Sequence, residues 1–233
     1  MGRSSRRRLS DVVTLSTVAL VLAITGCAAD VDKGDDVTGQ DQRDSAGLTQ
    51  AEVAELSLEE EFGLASDRYS EIESVLEEAQ LQVSDDAWRW NGGDVLPSAG
   101  GPGSFGEPLP GADGDNSYYF RAGRSLRPDG ASGAVAGLEP MSSYFDEKGW
   151  KYGTRESGTK SEVRADTGDG WWLTYTVRDN GQYSLVVYSE LYWTNDYSAL
   201  LAAVGDRLPD DFPEESVPGD YEPFPSWSDP VQP

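Results

Sequence analysis

The chain of 233 residues contains no histidine and a single cysteine, and its 18 basic residues face 42 acidic ones, for a net charge of −24. Without histidine it lacks the usual base of serine and cysteine hydrolases and the commonest metal ligand. A single cysteine excludes an internal disulfide. The negative balance disfavours nucleic acid and anionic lipid headgroups as partners. Long apolar runs are also missing. The run from Val12 to Ile24 is shorter than the roughly 20 residues that a helix needs to cross a hydrocarbon core of about 30 Å.

That run has a different meaning. Arg3, Arg6, Arg7 and Arg8 precede it and small residues end it, which is the layout of an export signal over residues 1–26. Ile24-Thr25-Gly26-Cys27 resembles the bacterial lipobox, in which cleavage between Gly26 and Cys27 exposes a cysteine that receives lipid. Each buried methylene of an acyl chain contributes about 0.8 kcal/mol, so two or more chains anchor a protein durably. Cys27 is then an anchor rather than a nucleophile. The expected location is the outer face of the bacterial cytoplasmic membrane. Ser5-Arg6-Arg7-Arg8-Leu9 is similar to a twin-arginine signal, but Ser10 stands where that pattern has an apolar residue, and the export route is left undecided. Cleavage removes four arginines and Asp11, so the remaining 207 residues carry 14 basic and 41 acidic groups, a net charge of −27.

Residues 27–47 are polar and poor in large apolar side chains, which predicts a lipidated cysteine on a disordered tether. A domain over 48–206 follows. Thr49 with Glu52, and Ser57 with Glu60, have the spacing of capping boxes, so a first helix is expected to break near Ser57. Phe62, Ala65, Tyr69, Ile72, Leu76, Ala79 and Val83 recur at gaps of three and four and lay one apolar stripe along a long helix. Trp88-Arg89-Trp90 starts a strand, and Asn91 to Gly114 is a long Gly/Pro/Ser-rich loop. Ser117 to Arg124 is a strand, and Leu138 to Lys148 a short helix closed by Gly149.

A meander of four strands comes next: Trp150–Glu156, Ser161–Asp166, Trp171–Arg178 and Gln182 to about Trp193. Trp171, Leu173, Tyr175 and Val177 form one face of the third strand, and Tyr183, Leu185 and Val187 one face of the fourth. A two-residue Asn180-Gly181 turn would oppose apolar to polar positions. A three-residue Asp179-Asn180-Gly181 loop pairs Val177 with Tyr183, Tyr175 with Leu185 and Leu173 with Val187, and it puts Gly181 in a left-handed bulge. A short helix from Tyr197 to Val204 follows, and 207–233 reads as a disordered acidic, proline-rich tail. The fold class is α+β: an antiparallel sheet containing the C-terminal meander, with a long amphipathic helix and a shorter helix packed on one face.

No residue set identifies a reaction, and no cofactor or metal is implied. Glu59, Glu60, Glu61, Glu71, Glu73, Glu77 and Glu78 read as the solvated face of the long helix rather than as paired catalytic carboxylates. Asp113 to Ser117 begins like a calcium loop but has Tyr118 where that loop needs glycine, and Asp166 to Gly170 is likewise incomplete; both read as turn chemistry. The many large rings are the remaining signal. Trp171 and Trp150 are assigned to the core, and Trp172, Tyr188 and Tyr192 to the opposite, binding-competent face. Tyr221, Phe224 and Trp227 lie three apart beside Pro223 and Pro225, so a polyproline II segment would put them on one face, as a docking strip or as a strip folded back on its own domain.

The lipobox, polar tether, helix leading into Trp88-Arg89-Trp90, Gly149-Trp150 helix end and Gly168-Asp169-Gly170-Trp171 hairpin together resemble small actinobacterial lipoproteins of the LppA-like kind, over about residues 1–195. That resemblance implies a lipid-anchored envelope protein and carries over no catalytic residues. The expectation is a non-enzymatic binding module with the membrane, through its anchor, and an envelope protein, glycan or lipid as partners, and no nucleic acid. A carboxylate-based hydrolase or transferase and a structural spacer are the alternatives. Substituting Cys27→Ala is expected to abolish incorporation of labelled palmitate and to release the protein from the membrane fraction; continued labelling would refute the anchor.

Overall fold

The computed structural model describes residues 42–90, 92–104 and 106–232. The signal segment, Gly26, Cys27 and the tether as far as residue 41 lie outside the described residues. Helix α1 (Gln50–Val53) and helix α2 (Leu58–Leu81) each begin at a reciprocal cap. The Thr49 backbone amide donates to the Glu52 carboxylate at 2.8 Å, and that of Ser57 to Glu60 at 2.8 Å, while each hydroxyl accepts from the opposing amide. Caps of this kind contribute about 1 kcal/mol each, enough to start two helices where one periodic stripe would otherwise run on. The apolar stripe from Phe62 to Ala79 is buried, and Val83 lies just past the end of α2.

Among the described residues, the strands are β1 (Trp88–Trp90), β2 (Ser98–Ala99), β3 (Ser117–Tyr119), β4 (Arg121–Leu126), β5 (Lys151–Ser157), β6 (Lys160–Asp166), β7 (Trp171–Arg178), β8 (Tyr183–Ser189), β9 (Tyr192–Trp193) and β10 (Glu215–Ser216). Seven form an antiparallel sheet in the order β10-β1-β4-β8-β7-β6-β5, and β2-β3-β9 form a second sheet of three. The meander β5 to β8 is the expected one. In the β7–β8 hairpin, Val177 opposes Tyr183, Tyr175 opposes Leu185 and Leu173 opposes Val187. Gly181 has φ +80°, and a Cβ there would stand 2.6 Å from the Ala131 carbonyl oxygen, so both conformation and space require glycine.

Two expected strands are each divided. Ser117 to Arg124 breaks at Phe120, and the strand from Gln182 to Trp193 breaks at Glu190-Leu191. The break has a local cause: the Phe120 amide donates to the Ser189 side-chain oxygen at 3.0 Å instead of to a carbonyl of the ladder. Beyond it β3 and β9 pair in the smaller sheet.

Helix α3 (Glu139–Lys148) follows a short 3-10 turn, Val135–Leu138, and ends at Gly149 with φ +70°. Its buried face is Met141, Tyr144 and Phe145, joined by Leu138. Helix α4 (Tyr197–Gly205) is capped by Asp196 and buries Leu200, Ala203 and Val204. These helix faces and α2 close one core with Val163, Ala165, Leu173, Tyr175, Val177, Leu185 and Val187 of the large sheet. Full burial of such a side chain contributes roughly 1.5–3 kcal/mol.

The ends of the domain differ from expectation. The segment after Arg207 is not a disordered tail: Ser216 pairs with Trp88, and the strip of aromatics folds back onto α2. Phe224 lies 5.1 Å from Phe62 and 5.8 Å from Tyr69, ring centre to ring centre, and Trp227 lies 5.3 Å from Phe62. The Tyr221 hydroxyl donates to Gln80 at 2.6 Å. Proline-rich extended chain loses little entropy on docking, so three well-placed rings suffice to order it. At the other end order begins before Leu48, because Asp44 is buried and accepts from the Trp193 amide, while the Trp193 indole donates to the Gln42 carbonyl. The described residues belong to one unit that contains this core.

Phe224→Ala is expected to lower the free energy of unfolding by about 2 kcal/mol, since the ring is half-buried against two others. Removing residues 208–233 should lower it further. Urea denaturation checks both, and a truncated chain of unchanged midpoint would refute the docked C-terminal segment.

Candidate functional site

The large sheet has two chemically different faces. Strand pairing puts Lys151, Asp166, Trp172, Tyr188 and Arg121 in one row across five strands on the face turned away from the helices. The parallel row on that face runs Arg155, Glu162, Thr176, Ser184, Ser125, Arg89. Arg164 lies between them, beside Gly153 and Thr174, and Lys160 and Arg178 sit opposite each other at one end. The strands of this face therefore carry seven cations against three acids, Glu162, Asp166 and Glu215, with Glu190 beside Trp172 as a fourth. Those seven are half of the 14 basic residues that follow residue 26, in a stretch whose net charge is −27.

This face is open. A Cβ added at Gly153 would meet nothing within 4 Å, and one at Gly123 would meet only the Arg121 guanidinium at 3.9 Å. Arg89, Arg121, Lys151, Arg155 and Arg164 are exposed. Five strands at about 4.8 Å spacing make it roughly 19 Å across.

At its centre Trp172 and Tyr188 are cross-strand neighbours with ring planes 4° apart and centres 6.4 Å apart. The Arg164 guanidinium lies 4.3 Å from the Trp172 ring centre and 5.4 Å from that of Tyr188, a cation–π arrangement that holds a charged fork over the rings. The Trp172 indole N–H donates to Glu190 at 3.4 Å. Burial raises the Glu190 carboxyl; the Trp172 hydrogen bond opposes that, while Asp166 and Glu107 add to it. Burial likewise raises the Tyr188 hydroxyl, against the pull of Arg164.

Of the side chains expected to bind, the structure leaves Trp172 half-buried at this surface and places the others elsewhere. Tyr188 is covered, at 2% exposed. Tyr192 is not on the open face at all: the break at Glu190-Leu191 turns it into the smaller sheet, where the buried Arg68 lies 4.0 Å from its ring centre. Tyr221, Phe224 and Trp227 pack against the core. The cations of the face were missed by sequence reasoning. Their signal is the period-two alternation Lys151-Gly153-Arg155 and Lys160-Glu162-Arg164-Asp166, interleaved in the second case with the buried Val163 and Ala165.

The acids of α2 also divide. Glu59, Glu60, Glu71, Glu77 and Glu78 are exposed, but Glu61 is 5% exposed and accepts from the Asn195 amide at 2.9 Å and its side-chain nitrogen at 2.7 Å. It shares one flank of the apolar stripe with Arg68, two turns on, whose guanidinium bonds Tyr118 and lies 3.7 Å from Asp44. A second buried pair joins Arg124 to Asp94. Burial raises the Asp94 carboxyl, with Arg124 pulling the other way. Glu73 is pushed up to about 7 by burial, against the neighbouring Tyr69 hydroxyl and the charge of Arg124.

The two calcium-like stretches are turns: Asp113 accepts from the amides of Asp115 and Asn116, and Asp166 from that of Gly168. Among the described residues no group of three or more acids, cysteines or histidines is placed to hold a metal ion, and no helix is long and apolar enough to cross a membrane. Comparison with known protein families, curated proteins and solved structures finds no match.

Glu73 gives stability a pH dependence of definite sign. Its folded pKa of about 7 lies above the ordinary value of 4.5, so the folded state holds the proton more tightly and stability falls as pH rises through that window. Glu73→Gln is expected to be more stable than the parent at pH 8, by about 1 kcal/mol once solvent screening of a half-exposed group is allowed for. Below about pH 4.5, where both states are protonated, the two should coincide. Thermal melts at pH 4 and pH 8 check this, and a constant difference would refute it.

Proposed function

We propose that this protein is a membrane-anchored envelope lipoprotein whose open sheet face binds an anionic glycan polymer without transforming it. The observation that carries the reading is the concentration of seven cations on the open face of a strongly acidic chain. Arginine presents a planar fork that matches phosphate or carboxylate with two hydrogen bonds, and the Arg164 guanidinium already lies 4.3 Å from the Trp172 ring centre. The exposed part of the Trp172 ring is the site at which a sugar ring would stack.

Charge also favours a strand-like polymer over a plane. At physiological ionic strength fields decay over about 8 Å, so a narrow polymer lying across the rows meets the local positive field. A broad anionic surface would also meet the acids around the rim. The lipid anchor, expected from Cys27, supplies the location, and the acidic surface elsewhere keeps the body from collapsing onto other anionic components.

The chain from Ala28 onward, tested against polygalacturonate, should bind it with an affinity that falls steeply with salt, and should ignore neutral dextran. Reversing Arg121, Arg155 and Arg164 to glutamate should weaken binding by about tenfold or more, and Trp172→Ala by several-fold. Equal binding by the charge-reversed protein would sink the proposal. Binding only to vesicles of anionic lipid, and not to the polysaccharide, would replace the glycan with a membrane surface.

A further inference from the structure

A second feature lies away from the open sheet face, along α2. Leu48, Leu56 and Leu64, all half-buried, floor a cleft of about 530 Å³ between α1 and α2, with Glu52, Glu60 and Asp67 on its walls. It shares Leu48, Leu64 and Asp67 with a neighbouring cleft of about 410 Å³, to which Arg68, Glu71 and Asp169 contribute. That one in turn shares Glu71 and Asp169 with a third of about 500 Å³, lined also by Val75 and Trp171. The three are stretches of one groove. From Glu60 to Val75 it follows α2 for about 22 Å, or four helical turns.

Its chemistry is ordered along that length. The end near α1 combines Leu48, Leu56 and Leu64 with Glu52 and Glu60, the middle carries Asp67, Glu71 and Asp169, and the far end has Ser70, Ser74, Val75 and Trp171. Backbone and side-chain hydrogen bonds from Thr49 and Ser57 hold the Glu52 and Glu60 carboxyls below their ordinary range, so the near wall stays ionised. Among the described residues that line the groove the one cation is Arg68, which is 4% exposed and engaged with Tyr118 and Asp44; beyond the lining, Arg43 pairs with Glu52 at 3.1 Å. The groove therefore offers Asp67, Glu71 and Asp169 in its middle, in no ion pair among the described residues, with leucines towards one end and Val75 towards the other.

We propose that this groove docks a cationic amphipathic helix of a partner protein. Such a helix, about four turns long, would place lysine or arginine side chains against Asp67, Glu71 and Asp169, with apolar side chains on Leu56 and Leu64 at one end and Val75 at the other. A small polyamine would leave Leu56, Leu64 and Val75 unused. A second copy of this chain has no cationic helix among its described residues to offer: α2 exposes acids, and seven cations lie on a flat sheet face, which does not enter a groove. The proposal is independent of glycan binding, since no residue of the groove lies on the open face.

The probe is a fluorescein-labelled synthetic peptide of about 15 residues, with leucines in its end turns and lysines in its middle turns. It is titrated against the chain from Ala28 onward, which contains all the described residues and their core. The expected result is saturable one-to-one binding, weakened by about tenfold or more in D67K/E71K and in L64K. The variant D210K/D211K makes the same change of charge at exposed positions outside the groove and should bind as the parent does. Charge reversal of Arg121, Arg155 and Arg164 should likewise leave peptide binding intact, which separates this result from that of the glycan test. Unchanged far-ultraviolet circular dichroism shows that the variants are folded, and D67K/E71K alters only exposed side chains. Absence of saturable binding, or equal weakening by D210K/D211K, would overturn the proposal. So would concentration-dependent dimers of the parent that D67K/E71K abolishes, since the groove would then belong to a second copy.

Discussion

The loop Asp179-Asn180-Gly181 sets the register between β7 and β8, and through those two strands the rest of the large sheet is aligned. Gly181 at φ +80° passes 2.6 Å, measured from an added Cβ, from the Ala131 carbonyl, and the Gly181 amide donates to the Arg178 carbonyl at 2.9 Å. A slip of one residue would carry Leu173, Tyr175 and Val177 to the open face and bring Trp172, Thr174 and Thr176 under the helices. The same register passes on to β6, where Val163 opposes Tyr175, and to β4, where Ala122 opposes Val187. One apolar face and one polar face follow from it, and the helices cover only the apolar one.

The uncovered face is where charge is segregated. Cations gathered on one face repel one another, and Glu162 and Asp166, which oppose Arg155 and Lys151, offset only part of that. Lys160 is held by Glu162 at 2.8 Å, and Arg178 donates to the Ser184 hydroxyl at 2.9 Å. Arg121, Arg155 and Arg164 remain exposed on the face. A surface arranged in this way on a chain otherwise so acidic is a local field of the opposite sign, and fields of this kind direct association more than they stabilise folds.

Helix α2 is held from both sides by the ends of the domain. On one side the segment from Gln42 to Leu48 lies against β9, and Asp44 faces the guanidinium of Arg68. On the other, the Tyr69 hydroxyl donates to the Glu222 carbonyl at 2.9 Å, and Tyr221 reaches Gln80. Burying Arg68 and Arg124 is costly unless each keeps its carboxylate, and losing one partner of such a pair typically costs about 3–5 kcal/mol. Asp44 and Asp94 both lie outside regular strands and helices, so irregular segments are needed to complete the interior of a regular domain.

Much of the fold was legible in the sequence because it depends on local periodicity. The two capping boxes, the apolar stripe of α2, the end of α3 at Gly149 and the hairpin register each follow from spacing over a few residues. The α+β class and the meander follow from those. Tertiary structure decided the remainder, for reasons of long-range contact. Glu61 reads as a solvated acid until the Thr194-Asn195 connection closes over it, and Tyr192 reads as a surface ring until Ser189 diverts the ladder at Phe120. The strip Tyr221, Phe224, Trp227 has a local spacing but no local sign that Phe62 and Tyr69 await it. The cations of the open face are scattered from Arg89 to Arg178, and only the pairing of strands puts them side by side. By itself the sequence determined which residues share a helix side or a strand face; which faces meet, and hence where the charge collects, was decided only by the assembled sheet.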